Sequence, residues 1–199
     1  MKRPSAELVL SAYLQGAFPM AHPEEGEEIY WYAPDPRAIL PLDDGFHISR
    51  RLRQTLRREP FEIAVNRDFE AVIDACAAPR EQQSQTWISA GIRDVFVELH
   101  HRGFGHSVEA WDEGELVGGL YGVALGGLFA GESMFHRATD ASKVCLVALV
   151  ERLRERGFAL LDIQFITPHL ARFGAIEISR HDYERRLEEA LTLRCIFHE

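Results

Sequence analysis

The run from Leu116 to Phe135, LVGGLYGVALGGLFAGESMF, leaves this chain few ways to fold. Its two apolar segments, 116–125 and 127–131, are separated by Gly126-Gly127, a pair suited to a tight turn because glycine accepts the positive φ that such turns demand. The pattern predicts two antiparallel strands, the second delivering Glu132 and Ser133 where the sheet gives way to a loop. A third apolar run, from Ala159 to Phe165, carries Asp162 and Gln164 two residues apart, so that in a strand they share a face.

A polar residue at a strand end is often only a turn former or a satisfied surface group. Asp162, however, lies among Leu160, Leu161, Ile163 and Phe165. A buried carboxylate costs several kcal/mol unless it is paired or hydrogen-bonded. A polar site shared by Glu132, Asp162 and Gln164 is one arrangement that compensates for it.

The chain has 199 residues, enough for one domain of ordinary size or for a somewhat smaller one with an appendage. With 46% apolar residues it can build a core, and its net charge of −9 argues against a protein that coats nucleic acid through a broad basic surface. Cys76, Cys145 and Cys195 are far apart and form no CxxC pair, which reads as reduced, structural cysteines in a cytoplasmic protein without a disulfide framework or zinc site. The N-terminus lacks the apolar core of a signal peptide, and no stretch has the length and apolarity of a membrane span.

In chain order, Ser5 is placed to cap a helix over 5–15 that stops at Gly16. The segment 29–37, IYWYAPDPR, is dense in aromatics and prolines and is not helical; it is either the core of a small subdomain or a platform on which a base stacks. A short strand is expected over 39–42, then a helix over 49–58 with Ile48, Leu52 and Leu56 on one stripe. Arg50, Arg51, Arg53, Arg57 and Arg58 cover the rest of that helix as a solvated face or a phosphate-binding one. There follow a strand (61–65), a helix (67–78), a polar linker (79–85), a helix (90–102), the strand meander, a helix from Thr139 or Asp140 to Arg156, a strand (158–166) and a helix (180–193). The tail 194–197 reads as a further strand.

Antiparallel strands followed by a helical crossover resemble the acyltransferase fold of coenzyme-A-dependent N-acetyltransferases. Those enzymes hold the coenzyme pyrophosphate on a glycine-rich turn before the crossover helix. Here the segment 132–143 contains no glycine and carries an acid, which disfavours coenzyme A.

A closer resemblance rests on YLQGAFPM (13–20), WYAPDPRAIL (31–40), HISRRLR (47–53), TWI (86–88), LVGGLYGVALGGLFAGESMF (116–135), ASK (141–143), DIQF (162–165) and HLARFGAIEISRHDY (169–183). In this order the segments resemble the leucyl/phenylalanyl-tRNA–protein transferase family over nearly the whole chain. The resemblance implies an α+β protein with a small N-terminal α/β domain, placed at 1–60, and a GNAT-like, mixed-sheet acyltransferase domain over 61–199. It implies a monomeric cytoplasmic enzyme that moves leucine or phenylalanine, with methionine a further candidate, from aminoacyl-tRNA to the N-terminal Arg or Lys of a protein and so marks it for degradation.

Aminoacyl-tRNA is already an activated ester, so no nucleotide, metal or coenzyme is required. The resemblance places Glu132 and Gln164 at the catalytic and acceptor-binding centre with Asp162 in support. Glu132 is assigned to the cationic acceptor and Gln164 to orienting its amine. Phe129, Met134, Ile163 and Phe165 are candidates for an apolar pocket around the transferred side chain, with core packing as the alternative. The resemblance also puts Trp87 near the 3′-terminal adenosine, with Met20 standing where the family often has a second tryptophan and Trp31, Tyr32 or Tyr13 as substitutes. The arginine helix is the expected seat of the tRNA phosphates. His106, His136, His169 and His181 are read as structural or surface groups. The alternatives are a coenzyme-A-dependent N-acetyltransferase and a non-catalytic protein of the same fold that binds aminoacyl-tRNA or peptide.

Overall fold

The computed structural model describes residues 3–22, 28–79 and 86–198; all but Pro79 of the expected 79–85 linker lies outside them. Helix α1 (Ala6–Leu14) starts at Ser5, whose hydroxyl accepts the Leu8 amide, and leads into a separate antiparallel hairpin of β1 (Phe18–Ala21) and β2 (Ile29–Tyr32). Next come β3 (Arg37–Leu40), α2 (Arg50–Leu56), β4 (Glu62–Val65), α3 (Phe69–Ala77) and α4 (Ala90–His101). The meander is β5 (Gly105–Asp112), β6 (Glu115–Leu125) and β7 (Leu128–His136), followed by α5 (Ala141–Glu155), β8 (Leu160–Gln164), α6 (Pro168–Ala171), β9 (Ile176–Ile178) and α7 (Arg180–Leu191).

Seven strands form one mixed sheet in the order β4-β5-β6-β7-β8-β3-β9. Only β7 and β8 run parallel, because α5 carries the chain back across the sheet between them. Their ladder covers Leu128–Ala130 against Leu160–Asp162 and stops there. This meander with a helical crossover is the α+β, mixed-sheet arrangement expected from the sequence. One face of the sheet is covered by α1, α3, α4 and α7, which bury residues such as Val9, Ile73, Phe96 and Leu187. The other face is covered by α5 and α2 through Leu146, Val150 and Leu52. Cys76 and Cys145 are buried.

The structure departs from the sequence reading in several places. Strand β3 is paired on both edges inside the main sheet, with β8 and with β9, and α2 packs on α5. Both elements precede residue 60, so a boundary drawn there runs through a continuous packing unit. The tail 194–197 adds no strand; Phe197 instead enters the core against Phe129 and Phe158. Glu132 does not mark the end of a strand either, since β7 continues to His136.

Glu132 occupies a β-bulge. Tyr121 of β6 pairs with Ser133 and Gly122 with Gly131, leaving Glu132 as the extra residue of β7. Side-chain alternation therefore reverses at this point, and Phe129 and Met134, five positions apart, pack against the same cluster beneath α5. The bulge depends on Gly122: a Cβ there would lie 2.3 Å from the Ala130 carbonyl oxygen and 2.4 Å from Phe129 Cε1. A second bulge lies on β8, where Ala38 pairs with Gln164 and Ile39 with Asp162, skipping Ile163.

Candidate active site

Beyond the end of their shared ladder, β7 and β8 present Glu132 and Gln164 to each other. Gln164 holds φ 58°, a left-handed conformation that a non-glycine residue adopts only when its surroundings impose it. Two hydrogen bonds do so here: the Gln164 amide donates to Asp162 Oδ1 at 3.0 Å, and the Phe165 amide donates to the Ile163 carbonyl at 2.6 Å. The strand thereby turns, and Gln164 Nε2 donates to Glu132 Oε1 at 3.3 Å. The same oxygen accepts from the Tyr13 hydroxyl at 2.6 Å, a contact between α1 and β7 that spans 119 positions.

These two residues open on a cleft of about 830 Å³. Leu120, Met134, Leu146, Leu149, Leu161 and Ile163 make an apolar wall between the sheet and α5. Phe18, Met20 and Trp87 line it as well, and His136, Ser142 and His169 add polar groups.

Asp162 is completely buried, and its carboxylate is fully engaged. Arg37, 1% exposed, donates from Nε to Oδ1 at 2.9 Å and from Nη2 to Oδ2 at 2.5 Å, a bidentate pairing. The Tyr183 hydroxyl donates to Oδ2 at 2.9 Å, and Arg37 Nη1 donates to the Gly16 carbonyl at 2.8 Å. The guanidinium also lies over the rings of Phe18 and Tyr183, 4.8 and 4.4 Å from their centroids. Burial works against the charge on Arg37, but the hydrogen bonds and charge of Asp162 outweigh it and hold the group more firmly protonated.

Among the described residues Glu132 has no such cation in contact. Burial raises its carboxyl to about 8; the Tyr13 hydrogen bond and the more distant Arg37 work in the opposite direction, and the charge of Asp162 adds to the rise. The group is therefore largely neutral at pH 7 until a cation approaches.

Of the residues singled out in the sequence, Glu132, Gln164, Met134, Ile163, Phe165, Trp87 and Met20 all line the cleft. Asp162 lies directly behind Gln164. Phe129 does not line the cleft: it stands on the same side of the sheet as Met134 but further back along β7, beside Leu161, fully buried with its ring 5.0 Å from that of Phe197. Leu161, Leu120, Leu146 and Leu149 form the wall it was expected to join. Trp31 and Tyr32 are not lining residues either. Strand alternation sends Trp31 to the opposite face of the hairpin from Met20, and the Tyr32 ring stacks on Phe18 at 6.0 Å.

Arg50, Arg51, Arg53, Arg57 and Arg58 stand exposed on and just beyond α2, away from the cleft lining; Arg53 Nε donates to the Ile48 carbonyl at 2.9 Å. His136 and His169 do line the cleft, whereas His106 is buried against Phe197, where burial lowers it to about 4. Arg37 and Tyr183 were not foreseen, and Tyr13 was expected only as a substitute contact for the adenine, whereas its hydroxyl bonds Glu132. A lone arginine before Ala-Ile-Leu, and tyrosines on amphipathic helices, carry no local sign of contact with residues more than a hundred positions away. No helix among the described residues is long and apolar enough to cross a membrane.

Comparison with known proteins places this geometry in context. The family model described as leucyl/phenylalanyl-tRNA protein transferase matches residues 39–188, and that described as the N-terminal domain of the same protein matches residues 3–35. A leucyl/phenylalanyl-tRNA–protein transferase of Herpetosiphon aurantiacus is 55% identical over 196 residues, covering 98% of this chain and 99% of that one. The protein of that name from Gloeobacter violaceus is 55% identical over 191 residues, covering 96% of each chain, and that from Akkermansia muciniphila is 54% identical over 189 residues, covering 95% and 97%. Among solved structures, L-PGS from Bacillus licheniformis superposes with a TM-score of 0.49 at 12% identity, covering 80% of this chain and 66% of that one.

Proposed function

This chain belongs to the leucyl/phenylalanyl-tRNA–protein transferase family, and from that premise we propose how its cleft moves leucine or phenylalanine from aminoacyl-tRNA to the N-terminal Arg or Lys of an acceptor protein. The single observation that carries the reading is the Glu132–Gln164 contact of 3.3 Å at the mouth of an apolar cleft. An activated ester needs only an amine held against its carbonyl carbon, and these two side chains can hold one.

The transferred side chain fits the wall of Met134, Ile163, Leu161 and Leu120, with Phe165 at the rim. A hydrocarbon wall discriminates by size and admits Leu, Phe and Met alike, while excluding charged side chains through their desolvation. Trp87 and Met20 offer the faces on which the 3′-terminal adenine rests. The five arginines around α2 supply charge for the phosphates of the acceptor stem, read as charge and not as sequence.

Gln164 gives its amide nitrogen to Glu132, which leaves its carbonyl oxygen to accept a hydrogen from the incoming amine. Both hydrogen bonds within the protein fall on Glu132 Oε1, so Oε2 is the atom that meets the acceptor. The positive charge of an N-terminal Arg or Lys favours ionisation of Glu132. In the free chain a carboxyl near 8 stands close to an α-amine of about 8, and the added cation tips that balance toward the carboxylate that receives the proton. As the nitrogen attacks and the new C–N bond forms, Glu132 takes the proton from nitrogen. When the carbon–ribose oxygen bond breaks, Glu132 returns that proton to the departing oxygen. Asp162, neutralised by Arg37, keeps Gln164 in its turned conformation and takes no proton.

The products are a tRNA with a free 3′ end and a protein bearing a new apolar N-terminal residue, a change of the kind that marks proteins for degradation. The reaction needs only soluble partners, in keeping with a monomer acting in the cytoplasm. The test is incubation of the purified chain with labelled Phe-tRNA and peptides beginning with Arg, Lys or Ala. Label should enter the first two and not the third; no incorporation into any of them overturns the reading.

A further inference from the structure

Among the described residues, three buried side-chain atoms lack a hydrogen-bond partner: His22 Nδ1, His169 Nε2 and the Tyr121 hydroxyl. Tyr121 is the one of these residues that is completely enclosed, and it lines the cleft with Glu132. We propose that Tyr121 is a positioning residue for Glu132, its hydroxyl serving as a third donor to the carboxylate once that group is ionised in the loaded cleft. The proposal deepens the transfer reaction above and rests on it.

The position of the ring is fixed. Phe69 and Phe96 meet it edge-on, with centroids 5.7 and 5.5 Å away and interplanar angles of 79° and 77°. Neither has an atom that could bond the hydroxyl. Across the sheet Tyr121 pairs with Ser133, at the very step where the bulge expels Glu132 from the ladder. The register that frees Glu132 thus also places a tyrosine next to it.

A buried hydroxyl without a partner is unfavourable and uncommon in folded proteins. It becomes useful when a charge appears beside it during turnover. At rest Glu132 is largely neutral, and its Oε1 is already bonded to Tyr13 and Gln164. Proton loss creates the demand for another donor, and Tyr121 has one to give. The titratable groups around Glu132 are Tyr13 from α1, Arg37 from β3, Tyr121 from β6, Asp162 from β8 and, further off, Tyr183 from α7; around Tyr121 they are Glu132 and Cys76 of α3, with Tyr13 also close. Arg37 is held by Asp162, so Tyr13 and Tyr121 are the neutral donors able to respond.

The test is Tyr121→Phe, which removes one oxygen and keeps the ring contacts. Because ionised Glu132 loses a donor, the acidic limb of single-turnover transfer from Phe-tRNA to an Arg-leading peptide should move to higher pH by about 0.7 unit. That shift lowers the rate about fivefold at pH 7 and leaves it within about twofold of the parent at pH 8.5. The peptide KM should change little. Since the hydroxyl has no partner among the described residues, the melting temperature of Tyr121→Phe should equal or exceed that of the parent. A pH profile superimposable on the parent's, or a variant that melts several degrees lower or fails to fold, overturns the proposal. If the parent itself transfers nothing, the reaction assigned above fails. Tyr121 is then judged by ¹³C titration of the Glu132 carboxyl in the free chain: a higher midpoint in Tyr121→Phe supports its role and an unchanged midpoint overturns it.

Discussion

Two acidic side chains stand on neighbouring strands of this protein, and their surroundings differ in kind. Asp162 is sealed between β3 and α7 with a bidentate arginine, a tyrosine hydroxyl and a backbone amide. Glu132, on β7, has among the described residues only neutral donors, both on one oxygen, and opens on the cleft. A buried charge whose every lone pair is engaged contributes rigidity. A carboxyl held by neutral partners alone keeps an ionisation that a ligand can control. The first sets the backbone turn that presents Gln164, and the second is the group left for chemistry.

The sharpest way to break this contrast is to remove the cation from Asp162. Arg37→Ala leaves an uncompensated buried carboxylate and should destabilise the fold by about 3–5 kcal/mol. Replacing both partners by apolar residues, Arg37→Met with Asp162→Leu, should recover much of that loss without restoring activity. Denaturant melts of the three chains decide it, and a double variant no more stable than Arg37→Ala would remove the premise that the pair is a matched unit.

The complementary change at Glu132 should do the reverse. Glu132→Gln should reduce single-turnover transfer by about 10²-fold while leaving the chain folded. In the parent this carboxyl titrates near 8 when folded against 4.5 as its ordinary value, so the folded chain retains a proton that the unfolded chain releases. The parent must therefore lose stability as pH rises through that window, whereas glutamine has no proton to lose. The melting temperature of Glu132→Gln relative to the parent should climb between pH 5 and pH 8 and then level off. A difference independent of pH would mean that Glu132 titrates as an ordinary exposed acid.

A smaller effect refines the comparison. Tyr183→Phe removes one of several donors to Asp162 and should lower stability by about 1 kcal/mol, with transfer and its pH profile nearly unchanged. A shift in the profile as large as that expected for Tyr121→Phe would show that the two carboxyls are not separate in function.

How much of this could be read from residue order depends on the range of the interaction. The turn at Gly126, with φ 56°, and the long hairpin it joins follow from local pattern, as do the helices expected over 5–15, 49–58, 67–78 and 90–102, whose starts Ser5, Ser49, Asp68 and Ser89 cap in the structure. The convergence of Glu132 with Gln164 was legible because each lies at a fixed offset within an apolar strand. Phe129 lies on the expected face but is covered by Phe197, a contact between distant positions that no local pattern announces. Trp31 and Tyr32 misled for a similar reason, since an aromatic cluster in sequence does not say which face its hairpin turns to a cleft.

The sequence alone determined the order of strands and helices, the apolar faces they bury and the residue types available for chemistry, since these follow from side-chain periodicity and backbone preference over a few positions. Only the tertiary structure decided which acid would be neutralised and which left open. Arg37 reaches Asp162 across 125 positions and Tyr13 reaches Glu132 across 119, and the electrostatic character of each carboxyl is set by those distant neighbours.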